Sequence, residues 1–293
     1  MSQQLAGSRR IRPPHFADNR WYKADAGRLM AEVKKYLGDT PRRPSSEALV
    51  GLVAPHAGYS FSGHVAGAGF AGLTPGAFET VILLGPDHHG AAPGQISTVK
   101  VDTWRTPLGD IPVAWDILQA LAADIDLALL ADDQEHALEV ELPFLQATLQ
   151  NFRLVPLMMG VQSPPVCRQL AQALVKTLTS PLTGGTEGGI LFVASSDLSH
   201  YFDDETARRL DKTTLQYLLN LDADGLLHHV ESSRQRGEPL ACGAGPMAVV
   251  IYAAKALGAT QATLLKYATS ADAYPDKSRV VGYAAVAISK ISE

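Results

Sequence analysis

The stretch Thr80-Val81-Ile82-Leu83-Leu84-Gly85-Pro86-Asp87-His88-His89-Gly90 decides the fold of this chain. Thr80 to Leu84 is a near-continuous apolar run, as expected of a strand covered on both faces, and Gly85-Pro86 stops it. Two adjacent imidazoles follow at once. Such a strand belongs in a sheet sandwiched between helices, so the stretch predicts a buried sheet with polar chemistry at the strand's carboxyl end.

The flanking sequence repeats this pattern. Upstream, Leu29, Val33, Tyr36 and Leu37 recur at helical spacing, with Gly38 as terminator. Ala48 to Val53 is a second apolar run, stopped within Ala54-Pro55-His56-Ala57-Gly58-Tyr59, and the small-residue segment 64–73 reads as a helix. Downstream, helices are predicted at about 114–122 and 137–150, a strand at 153–159, and a helix at about 167–179. A further apolar strand, 190–194, ends at Ser195-Ser196-Asp197-Leu198-Ser199-His200. Helices near 205–220 and 244–257 and strands 262–267 and 280–288 complete the pattern. Strands alternating with helices predict an α/β fold, a three-layer α/β/α sandwich around a mostly parallel or mixed sheet. No composition break marks a second domain, so residues 1–293 are expected to form one domain, with residues 1–20 an extended N-terminal segment. The Gly-rich stretch 180–189 is expected to be an exposed connection.

Composition excludes several classes of function. With 25 Lys and Arg against 30 Asp and Glu, the formal net charge is −5 and there is no basic block to attract nucleic acid or an anionic membrane. No apolar run reaches the roughly 18 residues of a membrane span, and the N-terminus lacks a signal-type apolar core, so a cytoplasmic location is expected. Two cysteines, Cys167 and Cys242, cannot organise a disulfide scaffold. Cys167 is expected to pack a helix start. Cys242 precedes Gly243-Ala244-Gly245-Pro246 and an apolar helix, where a thiolate is favoured.

The imidazoles occupy corresponding places. His56, the His88-His89 pair and the Asp197/His200 pair all lie just past predicted buried strands, and ligands bind at the carboxyl ends of strands in open α/β sheets. If those strands are neighbours, their histidines converge on one crevice. Two imidazoles and an anionic ligand suit a transition metal; Asp197, Glu139 and Cys242 are the candidates for the third position. His136 and Glu139, three apart, are expected to share a helix face, the carboxylate orienting the imidazole. Asp197 is expected to orient His200 as a general acid/base. Arg105, in Asp102-Thr103-Trp104-Arg105-Thr106-Pro107, could hold an anionic group at the rim. The polar segment 267–279 could cover the site and bring Ser270 or Asp272 to it.

Together, Ala54-Pro55-His56-Ala57-Gly58-Tyr59, Leu84-Gly85-Pro86-Asp87-His88-His89, Trp104-Arg105-Thr106-Pro107-Leu108-Gly109, Glu135-His136 to Glu139 with Leu142-Pro143, Ser195-Ser196-Asp197-Leu198-Ser199-His200 and Ala241-Cys242-Gly243 resemble, in order, the motif set of the Memo family. The resemblance runs from about Trp21-Tyr22 to the C-terminus. It implies a fold like that of the class III extradiol dioxygenases, the LigB-like group, which use non-haem Fe(II). Bacterial and archaeal members are often labelled protein B of the AmmeMemoRadiSam system, which implies a functional link to radical-SAM and AMMECR-like proteins. Carried over by position, it implies metal ligands His56, His88 and Cys242, with Asp197 and His200 in the same pocket and His89 behind the ligands or structural; His136, Glu139, Tyr59 and Arg105 are expected to support or line the pocket. A cysteine stands where those dioxygenases have a carboxylate, and this softer ligand also suits copper. The expectation is a dioxygenase-like oxidoreductase with Fe(II), or copper, acting on a small-molecule substrate. Two alternatives are a binding protein whose cleft takes a peptide or small ligand, and a zinc hydrolase. Assembly into an oligomer is compatible with the pattern.

Overall fold

The computed structural model describes residues 9–38, 49–91, 96–180 and 189–291. The predicted connection at 180–189 thus falls almost wholly outside the described residues. The N-terminal segment carries a two-residue strand, β1 (Ile11–Arg12), before helix α1 (Ala26–Leu37), whose N-cap Asp25 accepts the Arg28 N–H. Next come β2 (Leu49–Ala54), α2 (Tyr59–Phe70) and β3 (Thr80–Pro86). The chain continues through four short strands and a helix, β4 (Ile96–Val99), β5 (Thr103–Thr106), β6 (Gly109–Pro112), α3 (Trp115–Leu121) and β7 (Leu127–Leu130). Helices α4 (His136–Glu139) and α5 (Leu142–Leu149) lead to β8 (Arg153–Met159), α6 (Pro164–Thr179) and β9 (Ile190–Ser195). The last third comprises β10 (His200–Phe202), α7 (Asp204–Leu219), α8 (Ala223–Gln235), α9 (Ala244–Ala256), β11 (Gln261–Thr269) and β12 (Val280–Ser289).

The main sheet is mixed, in the order β10-β12-β2-β9-β3-β8-β4-β7, with β11 also paired to β12. Its centre, β2, β9, β3 and β8, is parallel, while β12 joins β2 and β4 joins β8 in antiparallel register. The central strands are the ones with continuous apolar runs, because both of their faces are covered. Helix α9 packs on β2, β9 and β3 with α6 and α8 against it; α2 packs on β2, β11 and β12, with α1 and α5 against it. This is the three-layer α/β/α sandwich that the alternation predicts. Helix α9 is buried almost all round, which explains a composition with no polar stripe. Helix α2 crosses α1 so closely that a Cβ on Gly67 would lie 2.6 Å from the Tyr36 carbonyl carbon.

The structure departs from the sequence pattern in several places, among them the short strands β4, β7 and β10, for which no strand is expected. The helix expected over 137–150 is two helices, because Pro143 lacks an N–H and restricts the residue before it, so α4 ends at Glu139 and α5 restarts beyond Glu141. A small second sheet, β1-β5-β6, ties the N-terminal segment to the body, and the described part of residues 1–20 is thereby folded in. Helix α8, polar along most of its length, is held by its Asp222 cap and by buried Leu226 and Leu227. Segment 267–279 begins within β11, and Ser270–Asp272 form a short 3₁₀ turn. Among the described residues, no helix is long and apolar enough to cross a membrane.

Candidate metal centre

Strand β9 lies between β2 and β3, all three parallel, so their carboxyl ends open on one side of the sheet. His56 follows β2, His88 follows β3, and Ser195 to Asp197 close β9. Cys242 arrives from the opposite direction, just before α9. Its loop rests on the end of β9: the Gly243 N–H donates to Ser196 Oγ at 2.9 Å, and a Cβ on Gly243 would lie 2.6 Å from the Ser195 carbonyl oxygen. Glycine is required there because backbone meets backbone.

Ligand atoms of His56, His88 and Cys242 lie within 4.8 Å of one another. His56 Nε2 is 3.2 Å from Cys242 Sγ. The Nδ1 atom of each imidazole is engaged behind the cluster, His56 with Ser195 Oγ at 2.9 Å and His88 with Glu135 Oε1 at 2.9 Å. Each ring therefore turns its Nε2 to the cleft, the pattern by which outer groups orient metal-binding histidines. These residues form the inner wall of a cleft of about 1230 Å³, which also exposes His136, Asp197, His200 and Trp21.

Burial controls the charges. His56 is buried, and burial first, then the neighbouring imidazoles, lower its pKa well below the ordinary histidine value, so it is neutral. For His88 burial acts downward, but the hydrogen bond and charge of Glu135 overcome it and raise the pKa. Glu135 is held below the usual carboxylate range: burial opposes ionisation, and the His88 contact with backbone N–H groups of Ala137 and His88 outweighs it. Burial pushes the Cys242 thiol up, with Asp197 adding to the effect, so without a cation it stays protonated. Asp197 is raised to about 7, chiefly by burial, against the bond it accepts from the His56 N–H at 2.9 Å.

The other expected site residues are distributed as follows. Asp197 does not orient His200: its Oδ1 takes the His56 backbone N–H, while His200 Nδ1 lies 3.3 Å from the Leu240 carbonyl oxygen. The three-residue spacing aligns side chains only on a helix, and here the chain passes from a strand end into β10. Both residues still line the cleft. Glu139 likewise does not orient His136. It is fully buried and binds Arg12, the backbone N–H groups of His15 and Phe16, and the Tyr22 hydroxyl. His136 instead lies between His88, stacked at 4.8 Å between ring centroids, and Trp21 at 4.3 Å. Tyr59 does not line the cleft: it is buried among Tyr22, Tyr36 and Phe144, its hydroxyl donating to the Val140 carbonyl at 2.7 Å. His89 is exposed, and its N–H donates to Asp87. Arg105 pairs with Asp110 across the β5–β6 hairpin and does not line the cleft. Ser270 and Asp272 also stay outside it: Ser270 Oγ accepts the Val281 N–H, and Asp272 pairs with Arg208. Cys167 packs in α6, its thiol pushed up to about 12 by burial.

Three residues that the motif reading passed over complete the site: Glu135, Ser195 and Glu141. Ser195 Oγ touches His56 Nδ1, the Ala137 carbonyl oxygen at 2.6 Å and Glu141 Oε1 at 2.7 Å. Glu135 and Ser195 stood inside the motifs and Glu141 in the gap between Glu139 and Leu142, but only the packing of α4 and α5 over β9 shows what they contact.

An α/β sandwich with a histidine–cysteine cluster at the carboxyl ends of three adjacent strands is the class of protein defined here. The chain belongs to the Memo family: the family model for Memo-like protein matches residues 12–287. It is 38% identical to a MEMO1 family protein of Methanopyrus kandleri over 85% of this chain and 87% of that protein. It is 37% identical to one of Ignicoccus hospitalis and 35% identical to one of Archaeoglobus fulgidus, each over 94% of this chain and 98% of the relative.

Proposed function

We propose that this protein is a metal-dependent oxidoreductase that holds Fe(II), or copper, through His56, His88 and Cys242, and acts on a small molecule entering the cleft. The observation that carries this reading is the convergence of three ligand atoms within 4.8 Å in a wall of that cleft. The donor set fits such an ion. Two imidazoles with engaged Nδ1 atoms and one thiol form a soft, partly nitrogenous set suited to iron, copper or zinc, and a cation would supply the charge that a buried thiolate lacks. Bound there, iron or copper would provide a redox centre and a Lewis acid.

The chain's own groups supply proton chemistry. Asp197, raised to about 7, can hold or release a proton near neutrality. His200, whose pKa is lowered mainly by burial, is a neutral imidazole held at Nδ1 and able to accept a proton at its other nitrogen. Their unequal environments make Asp197 the acid and His200 the base. His136 and Trp21 wall the cleft beside His88.

The test is metal content, by mass spectrometry, of protein purified anaerobically without an affinity tag, beside His88→Ala and Cys242→Ala. Near-stoichiometric iron or copper, lost in both variants, with oxygen uptake on offered substrates, is the expected result. Absence of metal after Fe(II), Cu(I) and Zn are supplied in turn would overturn the reading in favour of a ligand-binding protein. Retained zinc with oxygen-independent hydrolysis would make it a hydrolase.

A further inference from the structure

Ser195 has one proton and three polar neighbours. The Ala137 carbonyl oxygen, 2.6 Å from Ser195 Oγ, can only accept, so the hydroxyl proton must go there. The remaining contacts, His56 Nδ1 at 2.9 Å and Glu141 Oε1 at 2.7 Å, are then satisfied only if both partners donate to Ser195 Oγ. If Glu141 were a carboxylate, the single serine proton would have to serve both it and Ala137, and one short oxygen–oxygen contact would have no hydrogen in it.

Glu141 shows the same state from its other side. It is 0% exposed, and its Oε2 has no hydrogen-bond partner. Among the described residues no cation pairs with it. A buried carboxylate without a cation and with one bare oxygen is far costlier than a neutral acid with one bare carbonyl oxygen. Burial accordingly raises the acid well above the usual range, with the Ser195 contact opposing and Asp197 adding to the rise. The break that Pro143 imposes between α4 and α5 places this side chain under the end of β9, where no catalytic step above uses it.

We propose that Glu141 is a neutral carboxylic acid that donates to Ser195 Oγ and thereby fixes His56 as its Nδ1–H tautomer, with the Nε2 lone pair facing Cys242. Glu141 is a positioning residue that acts through Ser195. Its consequence for metal uptake rests on the metal reading above; the protonation state and the tautomer do not. The two imidazoles are thus backed by opposite chemistry, His88 by an anion and His56 by a neutral relay.

The experiment uses the metal-free full chain, with ¹⁵N-labelled histidine, in the wild type, Glu141→Gln and Glu141→Ala. Infrared difference spectra of wild type against Glu141→Gln at neutral pH should show the carbonyl stretch of a protonated carboxyl. Nitrogen chemical shifts, with His56 assigned through His56→Gln, should show Nδ1 protonated in both. Because a glutamine amide can donate as the acid does, Glu141→Gln should bind added Fe(II) within about threefold of wild type, whereas Glu141→Ala should lose the single tautomer and about tenfold or more in affinity. A missing carboxyl band, or a glutamine variant with the mixed tautomer of the alanine variant, overturns the proposal. Should Glu141→Ala not fold, the band and the glutamine variant decide alone. If band and tautomer are as expected while wild type takes up no metal, the metal reading fails and this assignment stands.

Discussion

Arg12→Met tests whether the N-terminal segment is part of the site's support. Arg12 has no exposed side-chain surface and donates to both Asp133 oxygens, at 2.6 and 2.8 Å, to Glu139, and to the Glu135 carbonyl oxygen at 3.1 Å. Its guanidinium also lies 4.1 Å from the ring centroid of Trp104. Methionine fills much of the same volume, so the main loss is electrostatic, and removing one partner of a buried ion pair costs about 3–5 kcal/mol. The loss should fall mostly on Asp133. Glu139 keeps three donors, His15 N, Phe16 N and the Tyr22 hydroxyl, whereas Asp133 keeps the Glu135 N–H. At about 2 °C per kcal/mol for a chain of this size, the melting midpoint of the metal-free protein should fall by about 6–10 °C. Adding Asp133→Asn to Arg12→Met should recover about half of it, because the stranded charge is gone. Thermal melts with a chelator present give the comparison, since a bound metal adds its own stabilisation. A single variant within about 1 kcal/mol of wild type would mean that the network does not hold the segment, and the reasoning would fail.

Other perturbations probe separate parts of the structure. Gly67→Ala should cost about 1–3 kcal/mol in denaturant unfolding, because its Cβ would meet the Tyr36 backbone where α1 and α2 cross. His136, lowered to about 4 chiefly by burial, is neutral when folded and takes up a proton more readily when unfolded. Its depressed value means that stability is full above the ordinary histidine range and is lost as pH falls from about 6.5 to 4, by about 3 kcal/mol, and His136→Asn should flatten that slope in the metal-free protein. Glu135→Gln removes the charge behind His88 but keeps an acceptor, and metal affinity measured by competitive chelation should fall about 10- to 100-fold while the far-ultraviolet spectrum is unchanged.

What was legible in the sequence was what local pattern controls. The apolar runs of β2, β3 and β9 and the imidazoles just beyond β2 and β3 follow from burial on two faces and from the chemistry of open strand ends. The third member of the cluster, Cys242, was one of three candidates on residue chemistry and was singled out by the motif resemblance, because a residue before α9 shares no local pattern with strand ends more than a hundred positions away. Short, half-exposed strands such as β5 and β6 carry too few alternations to register. Arg12 stood in a basic, proline-containing stretch expected only to be extended, and its burial against Trp104, Asp133 and Glu139 is what reveals its role. The expected pairing of Asp197 with His200 assumed helical geometry in a segment that is not helical. Ser195 and Glu141 matter through contacts set by how α4 and α5 lie over β9, which no spacing rule encodes.

Charge balance links the proposed metal to the proposed state of Glu141. Around the cluster, His56 is neutral, Glu135 is ionised, and Cys242 would carry a negative charge once a cation replaced its proton. Those two fixed negative charges match a divalent ion, whereas a monovalent one would leave an excess charge partly buried; Asp197, raised to about 7, adds only a partial charge near neutrality. An ionised Glu141 would add a third negative charge, fully buried and without its own cation. Such a site would attract metal more strongly but fold less well without it, because buried like charges repel most when nothing screens them. A neutral Glu141 avoids that conflict and still holds Ser195 and His56 in register. The same count favours Fe(II) over Cu(I), and it makes a specific demand: cation uptake at neutral pH should release the proton of Cys242, together with whatever fraction Asp197 and His88 Nε2 still hold, and none from Glu141, so proton-release calorimetry in buffers of different ionisation enthalpy should give the same count for wild type and Glu141→Gln.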